Sequence, residues 1–296
     1  MPASPITVTG AFDGPQLTVD ALIRNPTLVP RRILSMANQL FVGDKLLRNI
    51  GKAPSGVVEF FQSNPLFANT TSSVVREYAE IPVSTGAVGP LLLAQVVKRG
   101  LSLRISREMR DRNDIDLVNL QIMQIANTMV QDWDAAWINA ILAADTLTVA
   151  ATATWESSTA NPRLDIADAV KAIVSTKYGF IPDTLVISVG SHADLIGSAT
   201  IWQPWSGDMA HASPAVRGAL PAKLYGLDVW QTYSLPAATA IVMQRKVAGF
   251  IADERPLQAT PLYEIPERET WRSDTVRASA VGIDQPNAIC TITGVE

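Results

Sequence analysis

The sequence predicts an α+β fold, and three observations carry that prediction. Apolar residues recur with a 3.6-residue period for about seven turns after Asn113. Short runs of strand character dominate the last third of the chain. Between residues 57 and 105 lies a long stretch of extended character with no helical period. Hydrophobic residues make up 47% of the 296 and charged residues 18%, which is enough for a packed core and excludes a mainly disordered chain.

The elements follow in chain order. Pro2, Pro5, Gly10, Gly14 and Pro15 forbid a stable helix over the first 17 residues and favour an extended arm. From Pro26 to Asn49, Ile33, Leu34, Ala37, Leu40, Phe41, Leu46 and Leu47 fall at helical spacing. Val57 to Phe61 reads as one strand and Ser73 to Ile81 as a second. A break from Pro82 to Pro90 precedes a third run, Leu91 to Ile105, in which Leu101, Leu103 and Ile105 alternate strictly. Residues 73–105 thus read as a long two-stranded ribbon. A lone hairpin is marginal in water, so this one needs a surface to lie on.

Val118, Ile122, Ile125, Ala126, Met129, Trp133, Trp137, Ala140 and Ile141 define a helix over 116–144. At 1.5 Å per residue it is roughly 43 Å long. Asp114 or Asn113 serves as its cap, and Asp116 suits the positive end of its dipole. A second helix spans 165–178, stopped by Gly179. Strands follow at 184–188, 226–230, 239–243, 258–264, 271–279 and 288–293, with a loop-rich stretch at 202–221.

Composition narrows the function. The net charge is -4 and the pI about 5.3, which excludes a strongly polycationic nucleic-acid binder. Up to Lys52 there are six basic residues against three acidic ones, leaving -7 for the remainder. That early basic excess suits either nucleic acid or a solvated helix face. Cys290 is the only cysteine, so no intramolecular disulfide forms. His192 and His211 are too few for a histidine metal cage. The start lacks a basic region followed by an apolar one, and no run approaches the ~18 apolar residues of a membrane span. Synthesis as a soluble chain in the cytosol is expected. Low charge with seven tryptophans suits a surface that meets other protein.

Candidate chemistry is thin. Ser191-His192-Ala193-Asp194 holds the triad residue types, but a triad needs side chains converging from separate elements, and a helix cap after a strand fits better. Asp111 to Asp116 lacks the glycine and distal glutamate of a calcium loop. Glu267-Arg268-Glu269 reads as a charged turn. No phosphate-binding glycine pattern is present, Cys290 reads as a core residue, and Trp133 and Trp137 as helix packing. Trp202 and Trp205, flanking Pro204, suit subunit contacts or local packing. Neither catalysis nor a cofactor is expected.

The order of elements carries a resemblance. Ala79-Glu80-Ile81-Pro82 lies on the extended stretch, and Leu103-Arg104-Ile105-Ser106-Arg107-Glu108 runs into the long helix. Tyr178-Gly179-Phe180-Ile181-Pro182-Asp183 precedes a buried strand, and Gly249-Phe250-Ile251-Ala252-Asp253-Glu254-Arg255-Pro256-Leu257 comes late. Together, over almost the whole chain, these resemble the major capsid proteins of tailed bacteriophages, with the Hong Kong 97 fold.

The resemblance implies an N-terminal arm at 1–56, an extended loop at 57–104, a peripheral domain from 105–150 and 255–285 with the long helix as its spine, and an axial domain from 151–254 and 286–296. It implies pentamers and hexamers closing an icosahedral shell around double-stranded DNA in the virion, assembled in the host cytoplasm. It places Glu80, Arg99, Arg104, Trp202, Trp205 and Arg268 at interfaces between copies. Partners would be the chain itself, a portal protein, and DNA by weak non-specific contact. No helical scaffold precedes the arm, so a separate scaffolding protein is expected. The turn at 82–90 has no lysine, the nearest being Lys98, so assembly is expected to be non-covalent or reinforced by a decoration protein. An encapsulin-type bacterial compartment is the alternative of similar fold. A soluble α/β enzyme is the alternative of another class, and the unpartnered ribbon argues against it.

Overall fold

A computed structural model of the chain describes residues 18–62, 70–84, 89–197 and 223–296, with the backbone alone at 38–40. Three short helices come first: α1 (Val19–Arg24), α2 (Leu28–Leu40) and α3 (Gly43–Leu46). Strands β1 (Arg48–Lys52), β2 (Val57–Phe61), β3 (Leu91–Gln95) and β4 (Val97–Ser106) follow. Then come α4 (Arg107–Asp111), the long α5 (Ile115–Ala143), β5 (Leu147–Ala150), α6 (Pro162–Ser175), β6 (Thr184–Ser188) and α7 (Val189–Gly197). The chain closes with β7 (Lys223–Leu224), β8 (Leu227–Thr232), β9 (Thr239–Met243), β10 (Phe250–Ala259), β11 (Tyr263–Ile265), β12 (Thr270–Gly282) and β13 (Ile289–Thr293).

These elements form two compact units. Of the described residues, the first takes 18–40, 98–130 and 255–278, and the second takes those within 41–97, 131–254 and 279–296. Helix α5 and strands β10 and β12 contribute to both.

In the first unit, Val19, Leu22, Val29, Ile33, Leu103, Ile105, Val118, Ile122 and Leu262 form the core. Alternation along β4 turns Leu103 and Ile105 inward and leaves Ser102 and Arg104 outside. β4 lies on β12, and at Gly100 a methyl group would stand 2.8 Å from the Thr275 carbonyl, so the backbones meet where only glycine fits. The Thr18 hydroxyl caps α1 by accepting from Ala21 N at 3.2 Å, and the Ser106 hydroxyl caps α4 by accepting from Met109 N at 3.2 Å. Pro30 is the third residue of α2, where its missing N–H costs no intrahelical bond.

The second unit is built on a six-stranded sheet, ordered β5-β13-β9-β6-β8-β7. β6 runs parallel to β8 and antiparallel to β9; β13 runs antiparallel to β9 and parallel to β5. All five residues of β6 are buried, as a run of Leu185, Val186 and Ile187 without alternation requires. Helix α6 covers β13 and β5 through Ile166, Ala169 and Ile173. Asn161 caps it by accepting from Leu164 N, with Pro162 in the first turn. Buried Asp165 accepts from Thr152 N and from the Trp155 indole, each at 3.0 Å, which fixes the loop between β5 and α6.

Several expectations are corrected. The strand expected at 73–81 is absent: residues 70–84 carry no strand and are exposed throughout. The hairpin is made instead by β2 and β3, antiparallel, with Val57 opposite Gln95 and Phe61 opposite Leu91. The single run expected over 91–105 breaks at Val96 into β3 and β4. The helical stretch expected at 26–49 divides into α2, α3 and β1, the last pairing in parallel with β10. Asn113 does not cap α5; at φ 56° it turns the chain between α4 and α5, and its side-chain oxygen accepts from Val19 N at 2.9 Å. The strand expected at 258–264 is β10, ending at Ala259, and then β11 from Tyr263. Pro256 sits inside β10, past Asp253, the last residue paired with β1, where the strand is an edge.

Candidate functional site

The β2–β3 hairpin is two-faced. Val58, Phe60, Ala94 and Val96 point inward onto Phe250 and Ala280, with the Phe60 and Phe250 rings edge to face at 5.1 Å. Val57, Phe61, Leu91 and Leu93 point the other way, into solvent, with Phe61 47% and Leu93 59% exposed. Beyond the hairpin, Val74, Tyr78, Ile81 and Val83 stand almost wholly free, Val74 at 98%. Scattered exposed aliphatic residues are ordinary, but eight in one hairpin and its extension mark a binding surface.

Glu80 lies within this exposed stretch and is itself exposed. Arg99 is half-buried and Arg104 exposed, both on β4, and Arg268 is exposed in the 3₁₀ turn between β11 and β12. Arg107 pairs with Glu269 at 3.4 Å, which brings the end of β4 to the turn that carries Arg268. Trp202 and Trp205 lie outside the described residues, as does His211.

A polar cluster on the outer face of β4, β11 and β12 escaped the sequence reading. The Asp274 carboxylate accepts from the Ser102 hydroxyl, from Arg272 Nε at 2.6 Å and from the Tyr263 hydroxyl at 2.8 Å. Partial burial pushes the Asp274 carboxyl up, but those three donors outweigh it and hold the group below the usual range. Its hydrogen bond to Asp274 pushes the Tyr263 phenol up. The four residues come from three strands, and only the alternation of Ser102 and Arg104 with Leu103 and Ile105 signalled that this face was solvated.

Ser191 and His192 lie within α7 and Ser191 is buried, so the triad residue types do not converge. Cys290 is buried in β13, and its thiol is pushed up to about 11 by burial. Trp133 and Trp137 are packed, with 5% and 1% exposure. Among the described residues no group of three or more His, Cys, Asp or Glu is placed to hold a metal ion. No helix among them is long and apolar enough to cross a membrane.

The model of a family described as phage capsid protein matches residues 91–292, from β3 to β13. A solved chain from Mycobacterium phage Ogopogo superposes with a TM-score of 0.60 at 16% identity, covering 87% of this chain and 91% of that one. A virus-like particle from Pyrococcus furiosus gives 0.58 at 13% identity, covering 89% and 97%. The mature capsid of bacteriophage PhiM1 gives 0.57 at 14% identity, covering 86% of each. No curated protein matches the chain by sequence. The shared fold is thus the Hong Kong 97-type capsid fold, and the match over two thirds of the sequence favours a phage shell over an encapsulin-type compartment. The chain belongs to the phage capsid protein family.

Proposed function

We propose that this chain is the major capsid protein of a tailed bacteriophage, forming pentamers and hexamers that close an icosahedral shell around double-stranded DNA. The observation that carries the reading is the exposed apolar face of β2, β3 and residues 74–83. A second copy is its natural cover, since a heterologous contact that closes generates rings, and rings that meet generate a shell. Within that reading the first unit is the peripheral domain, with α5 as its spine, and the second unit carries the axial domain and the root of the extended loop. Glu80 reaches an arginine of a neighbouring copy, with exposed Arg104 and Arg268 the favoured partners and half-buried Arg99 a further candidate. Trp202 and Trp205 serve the capsomer centre. Separate scaffolding and portal proteins, a decoration protein in place of covalent crosslinks, and weak non-specific DNA contact complete the partners.

Negative-stain electron microscopy and sedimentation of the purified chain, alone and with the candidate scaffold, test this directly. Rings or closed shells are expected. A stable monomer at high concentration, with residues 70–84 protected from proteolysis by its own body, would overturn it.

A further inference from the structure

Strand β6 ends at Ser188, and α7 starts at the next residue. The Ser188 hydroxyl oxygen accepts from Ser191 N at 2.9 Å, as an N-cap does, and its proton goes to the carboxylate of Glu296 at 2.6 Å. The Ser191 hydroxyl donates to the same carboxylate oxygen at 3.0 Å. Both serines are buried, Ser191 completely. Between them, Gly190 leaves the space the carboxylate fills, because a methyl group there would lie 2.5 Å from Glu296 Oε1. The residues before Glu296 are held as firmly. Val295 is buried, its N–H and that of Gly294 donate to the Ala238 carbonyl, and its carbonyl accepts from Trp155 N at 2.8 Å. Two buried hydroxyls, a glycine and a helix N-terminus thus converge on one negative charge from a distant part of the chain.

We propose that Ser188, Gly190, Ser191 and Glu296 form an acid-sensitive clasp that fixes the start of α7 to the end of β13. The carboxylate complements the positive end of the helix and accepts charge-assisted hydrogen bonds, both of which depend on its ionisation. The titratable groups on the elements around it are His192 and Asp194 on α7 and Glu156 in the loop after β5, of which Asp194 feels the charge of both Glu296 and Glu156; the β8–β9 turn and β13 bring no charge. The Ser188 hydroxyl above all, with Ser191, holds the Glu296 carboxyl below its usual range against the opposing effect of burial. Asp194 is displaced upward, by burial first and then by Glu296 and Glu156. Protonation of Asp194 removes a repulsive charge and tightens the clasp. Glu296 takes its proton only below its ordinary value of about 4.3, and that protonation opens the clasp.

Hydrogen exchange on the full-length protein at pH 7, 5 and 3, corrected for intrinsic rates, tests the clasp. Amides of residues 192–197 should lose about tenfold in protection between pH 5 and pH 3, while Val186 and Ile241 in the central sheet hold theirs. Glu296→Gln should abolish that pH step. Gly190→Ala, which expels the carboxylate by its bulk, should lower α7 protection about tenfold at pH 7. The proposal is overturned if α7 keeps its protection to pH 3, if it loses it only together with the sheet, or if Glu296→Gln retains the step.

Discussion

The Phe60 ring meets Phe250 edge-on, with centroids 5.1 Å apart and planes at 81°. This contact ties the β2–β3 hairpin to β10, while the opposite face of the same hairpin stays apolar and open. One face of the hairpin is therefore fixed by its own chain, and in the proposed shell the outer face is left for another copy. Phe60→Ala should cost about 1–3 kcal/mol, from lost burial and the edge-to-face term. The loss should be local: hydrogen exchange at residues 57–61 and 91–95 rises, while α5 and β6 keep their protection.

Gly282 makes the pocket for that anchor. A methyl group at this position would lie 2.5 Å from Phe250 Cζ, and the ring has little room to retreat because Phe250 is only 2% exposed. Gly282→Ala should destabilise the subunit by about 1–3 kcal/mol through overpacking. Chemical denaturation with an unchanged m-value would show that stability alone has moved.

How much of this was legible depended on where each segment finds its partner. The α5 period was unmistakable because one face of a 29-residue helix is buried along its length, and the sequence reading misses its ends by one residue each. β6 and β9 were read to the residue, since buried runs such as Thr184–Ser188 admit little else. Residues 73–81 misled for the opposite reason. Val74, Val75, Tyr78 and Ile81 have strand-like character, but among the described residues no strand pairs with them, and propensity without a ladder does not make a strand. Residues Leu46 and Leu47 continue the apolar pattern of α2 yet belong to the core of the other unit, so periodicity alone ran past the break near Phe41. The Asp274 cluster joins residues 102, 263, 272 and 274, and such convergence follows only from the register of three strands.

The outward face of the hairpin should control assembly without controlling folding. Phe61→Glu and Leu93→Lys place charge on a surface that, in the proposed shell, a neighbouring copy covers, where an unpaired buried charge is costly. In the free subunit both positions are solvated, so stability should change by no more than about 0.5 kcal/mol. Sedimentation should show particles lost and soluble subunit gained, with the melting temperature unchanged.

Asp134 gives a prediction whose sign is set by burial. Its carboxylate accepts from Gly43 N at 3.2 Å and from the Trp137 indole at 3.0 Å, and it is only 5% exposed. Burial, first among the causes, pushes its carboxyl up, against the hydrogen bonds from Trp137, Gly43 and Val42. The folded state therefore takes up this proton at higher pH than the unfolded chain, whose value is about 3.9. As pH falls from neutral through the raised value, the cost of the buried charge disappears and this group's contribution to stability rises; below the unfolded value it is constant. Asp134→Asn keeps an acceptor for Gly43 and Trp137 but binds no proton, so the part of the stability–pH slope due to this residue should vanish. Asp134→Ala leaves the buried indole and the Gly43 N–H without that acceptor, a loss of about 1–3 kcal/mol for each group left unpaired. Denaturation curves at pH 7.5 and pH 4.5 for the three proteins separate these outcomes: Ala lowest throughout, and the wild type gaining on Asn as the solution is acidified.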